Sequence, residues 1–506
     1  MKKLLIGFLC VQLLVASFTA CNTADTASKT HSSNLSKNEL VSDDSETSSQ
    51  AEKDPYAHLR NVDLDGKKIV ILVEDNGFSR YMSREIMQYE TNPDNINTAI
   101  LERNNTVEEL LHCKLSEVRT NAASGDAVRV IRNEMMGTSS YDLVMPYMTG
   151  ASVLAADGAF LDLKNFSDVI KLQNDYWDGK AVEDLSIANR VFFATGDFSL
   201  LTFDCTHAIV FNKTVISENA NLEDPYKLLE DGKWTFDALY KNSKLFTAEN
   251  NGVDGMTWED KWGFFVNVTC ITSMFVGAGE RLSRKDSNGY PYISVKTPKS
   301  ATVIDKLIDI INDKSASLII EQDIVNYQDK YSDVYLAATA AFAENRVLFR
   351  SLAIVDLNEL QVFKDINYGL LPIPKFDEKQ ENYCNIDSAD YASCFAIPRQ
   401  APDSNASAAV AEAIAIASTN TVRRQYYEVL LKGRQIADTE GEKALDLIFN
   451  NRVYEMGTIY TWGELPALVD SVVMSGSNTL ESKLSAVQDE INAEIDLTIE
   501  AFKKMD

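Results

Sequence analysis

Apolar residues along this chain fall in short blocks whose spacing alternates between strand and helix. Lys68-Ile69-Val70-Ile71-Leu72-Val73 is a β-branched, nearly unbroken apolar run, the pattern of a strand buried on both faces. From Thr98 to Leu111 the apolar positions Ile100, Leu101, Val107, Leu110 and Leu111 recur at helical steps, with Thr106 and Glu109 spaced as a capping box. Ala127, Val128, Val130, Ile131 and Met135 predict a second amphipathic helix ending at Gly137. Tyr141-Asp142-Leu143-Val144-Met145-Pro146 is another buried-type strand, followed by a helical stretch to Ala156 and a turn at Asp157-Gly158. Strand and helix alternating in short units predict an α/β fold, a parallel-rich sheet with helices on both faces.

The middle of the chain keeps the alternation with more turn residues. Ala208-Ile209-Val210-Phe211 reads as a strand, and Gly232-Lys233-Trp234-Thr235 leads into a helix with Thr235 as N-cap. Trp262-Gly263-Phe264-Phe265-Val266 and the segment from Val347 to Val355 read as further strands, and Asn367 to Pro374 is extended and punctuated by proline. Leu484, Val487, Ile491, Ile495, Ile499 and Phe502 recur at three- and four-residue steps in a terminal helix.

The N-terminus breaks this pattern. Lys2 and Lys3 precede the apolar stretch Leu4 to Ala16, which is shorter than a bilayer of roughly 30 Å requires. Phe18-Thr19-Ala20-Cys21 follows and looks like a bacterial lipobox, in which Cys21 is diacylated and becomes the new N-terminus. The plainer alternative is an ordinary secretory signal beside a chance cysteine. Two acyl chains, at about 0.8 kcal/mol per buried methylene, anchor a protein stably. Residues 21–55 are dominated by Ser, Thr, Asp, Asn, Ala and Glu. Such a segment cannot offset its ordering entropy and is expected to be a disordered tether, reaching on the order of 30 Å from the surface.

Composition narrows the function. The 506 residues are 45% hydrophobic, with 48 basic against 75 acidic residues and a net charge of −27. That charge disfavours nucleic acid and anionic membrane surfaces. Cys113, Cys205, Cys270, Cys384 and Cys394 are scattered without a CxxC; Cys384 and Cys394 can pair across a loop or remain thiols. The four histidines show no paired metal spacing, and the chain contains no GxSxG elbow and no phosphate-cradling loop. A glycosidase needs two carboxylates at fixed separation, which 75 acidic residues neither indicate nor exclude. No cofactor is expected.

Four stretches carry a resemblance: Asn97-Thr98-Ala99-Ile100 with Glu102-Arg103-Asn104; Gly196-Asp197 ahead of Phe211-Asn212-Lys213; Gly232-Lys233-Trp234-Thr235-Phe236-Asp237; and Leu371-Pro372-Ile373-Pro374-Lys375-Phe376-Asp377. Their order behind a lipobox resembles the extracellular solute-binding lipoproteins of ABC importers, of the maltose and oligosaccharide type. The resemblance implies a two-lobed periplasmic-binding-protein-like fold with crossover hinge segments and a ligand cleft. The first lobe would take residues 56–207 and about 385–440, the second 208–384 and about 441–506, behind a signal peptide at 1–20. It implies a non-enzymatic receptor, held at the extracytoplasmic face of the cell membrane by its lipid. That receptor would hand a carbohydrate, expected to be an oligosaccharide, to the transmembrane subunits of a permease. A monomer is expected. Peptide or polyamine binding on the same fold, a non-transport surface lipoprotein and a secreted glycoside hydrolase are the alternatives.

Sugars need aromatic faces for their C–H surfaces and carboxylates or amides for their hydroxyls. Ligands of doubly wound sheets sit beyond the carboxyl ends of strands. These rules select Glu74, Asp75 and Asn76 after the first strand, Tyr147 and Met148 after the next, and Asp204 before the first crossover. Arg350 and Ser351, together with Asp390 and Tyr391, are expected at the cleft, and the resemblance implies Tyr460 with Trp462 as the aromatic platform. Trp177, Trp234, Trp258 and Trp262 are assigned to packing. The Val347 to Val355 strand lacks the tryptophan that maltose-type binders place nearby, which argues against malto-oligosaccharides.

Overall fold

The first apolar run becomes the centre of a sheet. In the computed structural model, which describes residues 54–75, 79–87, 95–120, 126–363, 366–436 and 438–505, β1 (Lys67–Val73) lies between β2 (Cys113–Arg119) and β3 (Leu143–Met145), all parallel. Val73 stands opposite both Arg119 and Met145, so the three strands end at one edge. β2 was not expected. Its Cys113 and Leu115 are buried while Lys114 is exposed, the one-sided burial of an edge strand whose apolar signal is diluted by charge. The first helix, Asn95–Leu111, also departs from expectation. Thr106 lies inside it and its hydroxyl donates to the Glu102 carbonyl at 2.9 Å, so it caps nothing.

The Arg103-Asn104 pair on that helix has a structural task. Arg103 is fully buried and donates from Nη1 to the Glu85 carbonyl at 2.6 Å and from Nη2 to the Ile86 carbonyl at 2.8 Å. Asn104 Nδ2 donates to the same Ile86 carbonyl at 2.8 Å. Glu85 in turn accepts the backbone N–H groups of Leu200 and Leu201 at 2.8 and 2.9 Å and the Ser393 hydroxyl at 2.8 Å. This network holds the segment 79–87, which carries two cleft residues. Helix Ser404–Ser418, rich in alanine and almost wholly buried, packs on Asn95–Leu111. The chain continues from it in wide π-type turns over Thr419–Arg423 and Gln425–Gln435.

The second sheet contains β4 (His207–Asn212), β5 (Trp262–Val266), β8 (Ser317–Ile319), β9 (Val347–Ala353) and β10 (Tyr368–Leu371) in the order β10-β4-β9-β5-β8; β6 (Ser283–Lys285) and β7 (Pro291–Ile293) form a separate hairpin. β5, β8 and β9 are parallel, while β4 runs antiparallel to β9 and β10. The start of β4 therefore meets the end of β9, with His207 opposite Ala353. Thr235 caps helix Phe236–Phe246, accepting from the Ala238 N–H, and the buried Trp234 donates to the Pro372 carbonyl at 2.8 Å. Trp177, Trp234, Trp258 and Trp262 are all buried.

Three passages join the sheets. Ala194 pairs with Phe395 beside the first sheet, while Thr206 pairs with Asp387 beside the second. β11 (Asn385–Ile386) lies parallel to β12 (Arg452–Val453) at the same place. The third passage leads from the π-turn segment to helix Thr439–Asn450, which packs on β10. The terminal helix Leu480–Lys504 buries Leu484, Ile491, Ile495, Ile499 and Phe502 and packs both on helix Leu465–Met474 and on Met148–Ala156 of the first lobe. The fold is two-lobed α/β. Among the described residues no helix is long and apolar enough to cross a membrane.

Candidate functional site

Where the strands end, their terminal residues first tie the strands to one another. Glu74 Oε2 accepts the Tyr147 backbone N–H at 2.8 Å, joining the ends of β1 and β3. The Asp75 backbone N–H donates to the Thr120 hydroxyl oxygen at 3.0 Å, and its Oδ2 lies 3.4 Å from Arg119 Nη1, joining β1 to β2. Met148 is fully buried as the first residue of its helix. Asn76 and Cys21 lie outside the described residues.

Beyond these ends lie two cavities, on either side of Asp390 and Tyr391. The first, of about 440 Å³, is walled by His207 at the start of β4, by the helix Thr269–Gly277, by the crossover Ile386 to Asp390, and by the segment from Thr458 to Asp470. Its chemistry is hydroxyl and carboxylate: Thr269, Thr272, Ser273, Thr458 and Thr461 stand among Asp387, Asp390, Glu464 and Asp470. The second, of about 650 Å³, is aromatic and carries the cation Arg80. Tyr391 stacks on Tyr81 with ring centroids 4.3 Å apart and planes 13° apart, and Tyr147 meets Tyr391 edge-on at 5.8 Å. Arg80 pairs with Asp356 at 3.1 Å and with Glu359, and lies 5.3 Å from the Tyr335 ring centroid.

Burial governs the electrostatics. It pushes the Asp470 carboxyl up to about 7, against the hydrogen bond of 2.7 Å that it accepts from Thr272. It raises Asp390, and it raises Asp387 strongly although Arg452 opposes that shift. His207 is driven down to about 4 and so is neutral at neutral pH; its Nδ1 pairs with the Ser273 hydroxyl.

The other expected residues are placed deeper. Asp204 is buried, accepts the Tyr426 hydroxyl and is raised to about 6 by burial. Arg350 and Ser351 are fully buried within β9: Arg350 donates to the Thr339 hydroxyl, and Ser351 Oγ accepts the Asn267 N–H at 2.9 Å. Tyr460 and Trp462 stack on each other at 4.8 Å, and Trp462 Nε1 donates to Thr498 on the terminal helix at 3.1 Å. It is their neighbours Thr458, Thr461 and Glu464 that line the first cavity. Cys394 is buried, Cys384 is half-buried, and both are free thiols.

Residues that the sequence did not flag are Arg80, Tyr81, Tyr335, His207, Asp387 and Asp470. His207 and Asp387 lie within the expected crossover segments, each three residues from a flagged position, Asp204 and Asp390, but only the fold shows that they line a cavity. Nothing local marks Asp470, on the face of helix Leu465–Met474 that meets Thr272.

The arrangement is a two-lobed α/β fold with cavities beside the crossover between its sheets. Known structures share it. A cyclo/maltodextrin-binding protein complexed with maltotetraose is 11% identical over 87% of this chain and 98% of its own, with a TM-score of 0.52. An ABC substrate-binding protein from Listeria monocytogenes in complex with cycloalternan is 11% identical over 85% and 100%, also with a TM-score of 0.52. A protein from Mycobacterium tuberculosis in complex with glycerophosphocholine is 13% identical over 79% and 96%, with a TM-score of 0.51. No family model and no curated protein sequence matches the chain.

Proposed function

We propose that this protein is a lipid-anchored, extracytoplasmic receptor that captures a carbohydrate between its lobes and delivers it to the permease of an ABC importer, acting as a monomer and without covalent chemistry. The observation that carries this reading is the pairing of two cavities across Asp390 and Tyr391, one lined with hydroxyls and carboxylates and the other with tyrosine faces. Those are the two kinds of contact a sugar chain requires, and the combined space suits more than one ring. Maltotetraose and cycloalternan in two structures of the same fold support an oligosaccharide. Closure of the lobes on a ligand supplies the signal a permease can read.

Isothermal titration with oligosaccharides, monosaccharides, peptides and polyamines tests the reading. One glycan family binds and is recovered intact, and Tyr391→Ala weakens that binding about tenfold or more. Unchanged affinity in that variant removes Tyr391 from the site, and binding of peptides alone replaces the solute class. Anchoring is tested separately. Radiolabelled palmitate is incorporated into the wild-type chain but not into Cys21→Ala.

A further inference from the structure

We infer that the β6–β7 hairpin is a strap that fastens the second lobe to the first in the empty receptor, before any solute arrives. This rests on the reading that the lobes close on a solute. The hairpin stands apart as a two-stranded ribbon, a form that is marginal without further packing. It is nonetheless built as a firm arm. At its tip Asp286 Oδ1 accepts the N–H groups of Asn288 at 2.8 Å and Tyr290 at 2.9 Å. At its base the N–H and hydroxyl of Ser283 donate to the buried Glu455 at 3.1 and 3.0 Å. The terminal helix packs on β7, with Lys503 Nζ 4.3 Å from the Tyr290 ring centroid.

The arm ends on the first lobe. Lys285 Nζ donates to the Glu183 carbonyl, to the Ser186 carbonyl at 3.0 Å and to the Ser186 hydroxyl at 3.1 Å. Those oxygens match the donors of an ammonium group. They lie at the C-terminal end of helix Gly179–Leu185, whose last carbonyls have no partner within the helix. That helix belongs to the first lobe, since Trp177 before it donates to Glu412 at 2.8 Å and the Val191 carbonyl after it accepts the Leu163 N–H at 2.8 Å. Lys285 is half-buried, and burial pushes its pKa down, so the carbonyls stand in for the water it has lost. Two residues beyond Ser186, the Ala188 N–H donates to the Gly289 carbonyl of the hairpin tip at 3.2 Å. Ala188 and Asn189 both have positive φ, 52° and 62°, between the bridged Ile187 and Arg190. Such a tight turn suits glycine or asparagine and strains an alanine. Backbone strain persists where surrounding contacts fix it, and here the contact comes from the other lobe. Glu183, Ser186, Ala188, Lys285 and Gly289 line neither cavity of the candidate site, so the strap acts on the lobes and not on the solute.

X-ray scattering and amide hydrogen exchange on the solute-free full chain test this. The wild type scatters as the two-lobed particle described above, and its segment 183–190 is protected. Lys285→Met keeps an apolar stem and removes the donors. It enlarges the radius of gyration and speeds exchange over 183–190 about tenfold or more, with thermal melts showing that the variant folds. Lys285→Arg, which keeps the charge and donors, stays near the wild type in both readouts. Should Lys285→Met fail to fold, Asp286→Ala on the exposed tip loosens the arm and moves both readouts in the same direction. Faster exchange with an unchanged radius reduces the contact to a local staple and overturns the inference, as does no change in either readout. Failure of carbohydrate binding leaves these solute-free measurements standing, and failure of the strap leaves the solute class untouched.

Discussion

Glu412 and Asp387 are both buried carboxylates, and they are treated in opposite ways. Glu412, on the helix Ser404–Ser418, receives Trp177 Nε1 at 2.8 Å, the Tyr176 hydroxyl at 2.5 Å, the Lys171 backbone N–H at 3.1 Å and His58 Nε2 at 3.1 Å. Those donors come from two separate segments, around residue 58 and over 171–177, so one side chain on a third staples the first lobe. Asp387, on the crossover, receives no hydrogen bond on its carboxylate. A satisfied buried carboxyl holds a structure together, whereas an unsatisfied one is maintained against folding stability.

The comparison breaks most visibly at Glu412. Glu412→Ala strands three or four donors, and urea unfolding should show a loss of about 3–5 kcal/mol. A loss under about 1 kcal/mol would mean that water satisfies those donors and that the staple is not structural. Trp462→Ala should cost about 3 kcal/mol through the cavity it leaves. Ligand affinity measured well below the melting temperature should change less than about threefold, because the ring packs toward Thr498. A tenfold loss would return Trp462 to the site.

A smaller effect is set by pH. Burial raises Asp204 to about 6 and Asp470 to about 7, from an ordinary value of 3.8. Between those limits the folded protein binds more protons than the unfolded chain. Stability is therefore greatest on the acidic side of the window and falls as pH rises from about 4 to about 7. Melting temperatures at pH 5 and pH 8 check the sign, and Asp470→Asn should shrink the difference. A melting temperature that rises across the window would show that these carboxylates are paired. The smallest effect sharpens the comparison directly. Asp387→Asn should raise stability by about 1 kcal/mol, because the amide removes an unsatisfied buried carboxyl. Destabilisation at pH 8 would assign Asp387 to Arg452 as a structural partner.

Much of the fold was legible because the core strands are apolar in unbroken runs. β1, β4 and β5 sit where their β-branched and aromatic residues placed them, as does the terminal helix with its repeat from Leu484 to Phe502. β2 was not legible, because an edge strand needs only one apolar face and CKLSEVR alternates too weakly to show it. Thr106 misled for a related reason: a threonine with a glutamate three residues on describes a helix start, but the same hydroxyl can bond back within a continuing helix.

The candidate site was legible only in part. Strand ends and crossovers can be located from the chain, and this put Glu74, Tyr147, Asp390 and Tyr391 at the right edge of the sheets. Whether such a residue faces a cavity or a neighbouring backbone depends on contacts from distant segments. Glu74 is taken by the Tyr147 amide, Arg350 by Thr339 and Trp462 by Thr498, and none of those partners is visible in local spacing. The sequence by itself determined the α/β alternation and the places of the core strands, since these follow from periodicity, and its resemblance to a known family implied the two-lobed class. The tertiary structure alone decided which carboxylates are satisfied and which are left open, because hydrogen-bond satisfaction depends on donors that folding brings together from residues hundreds of positions apart.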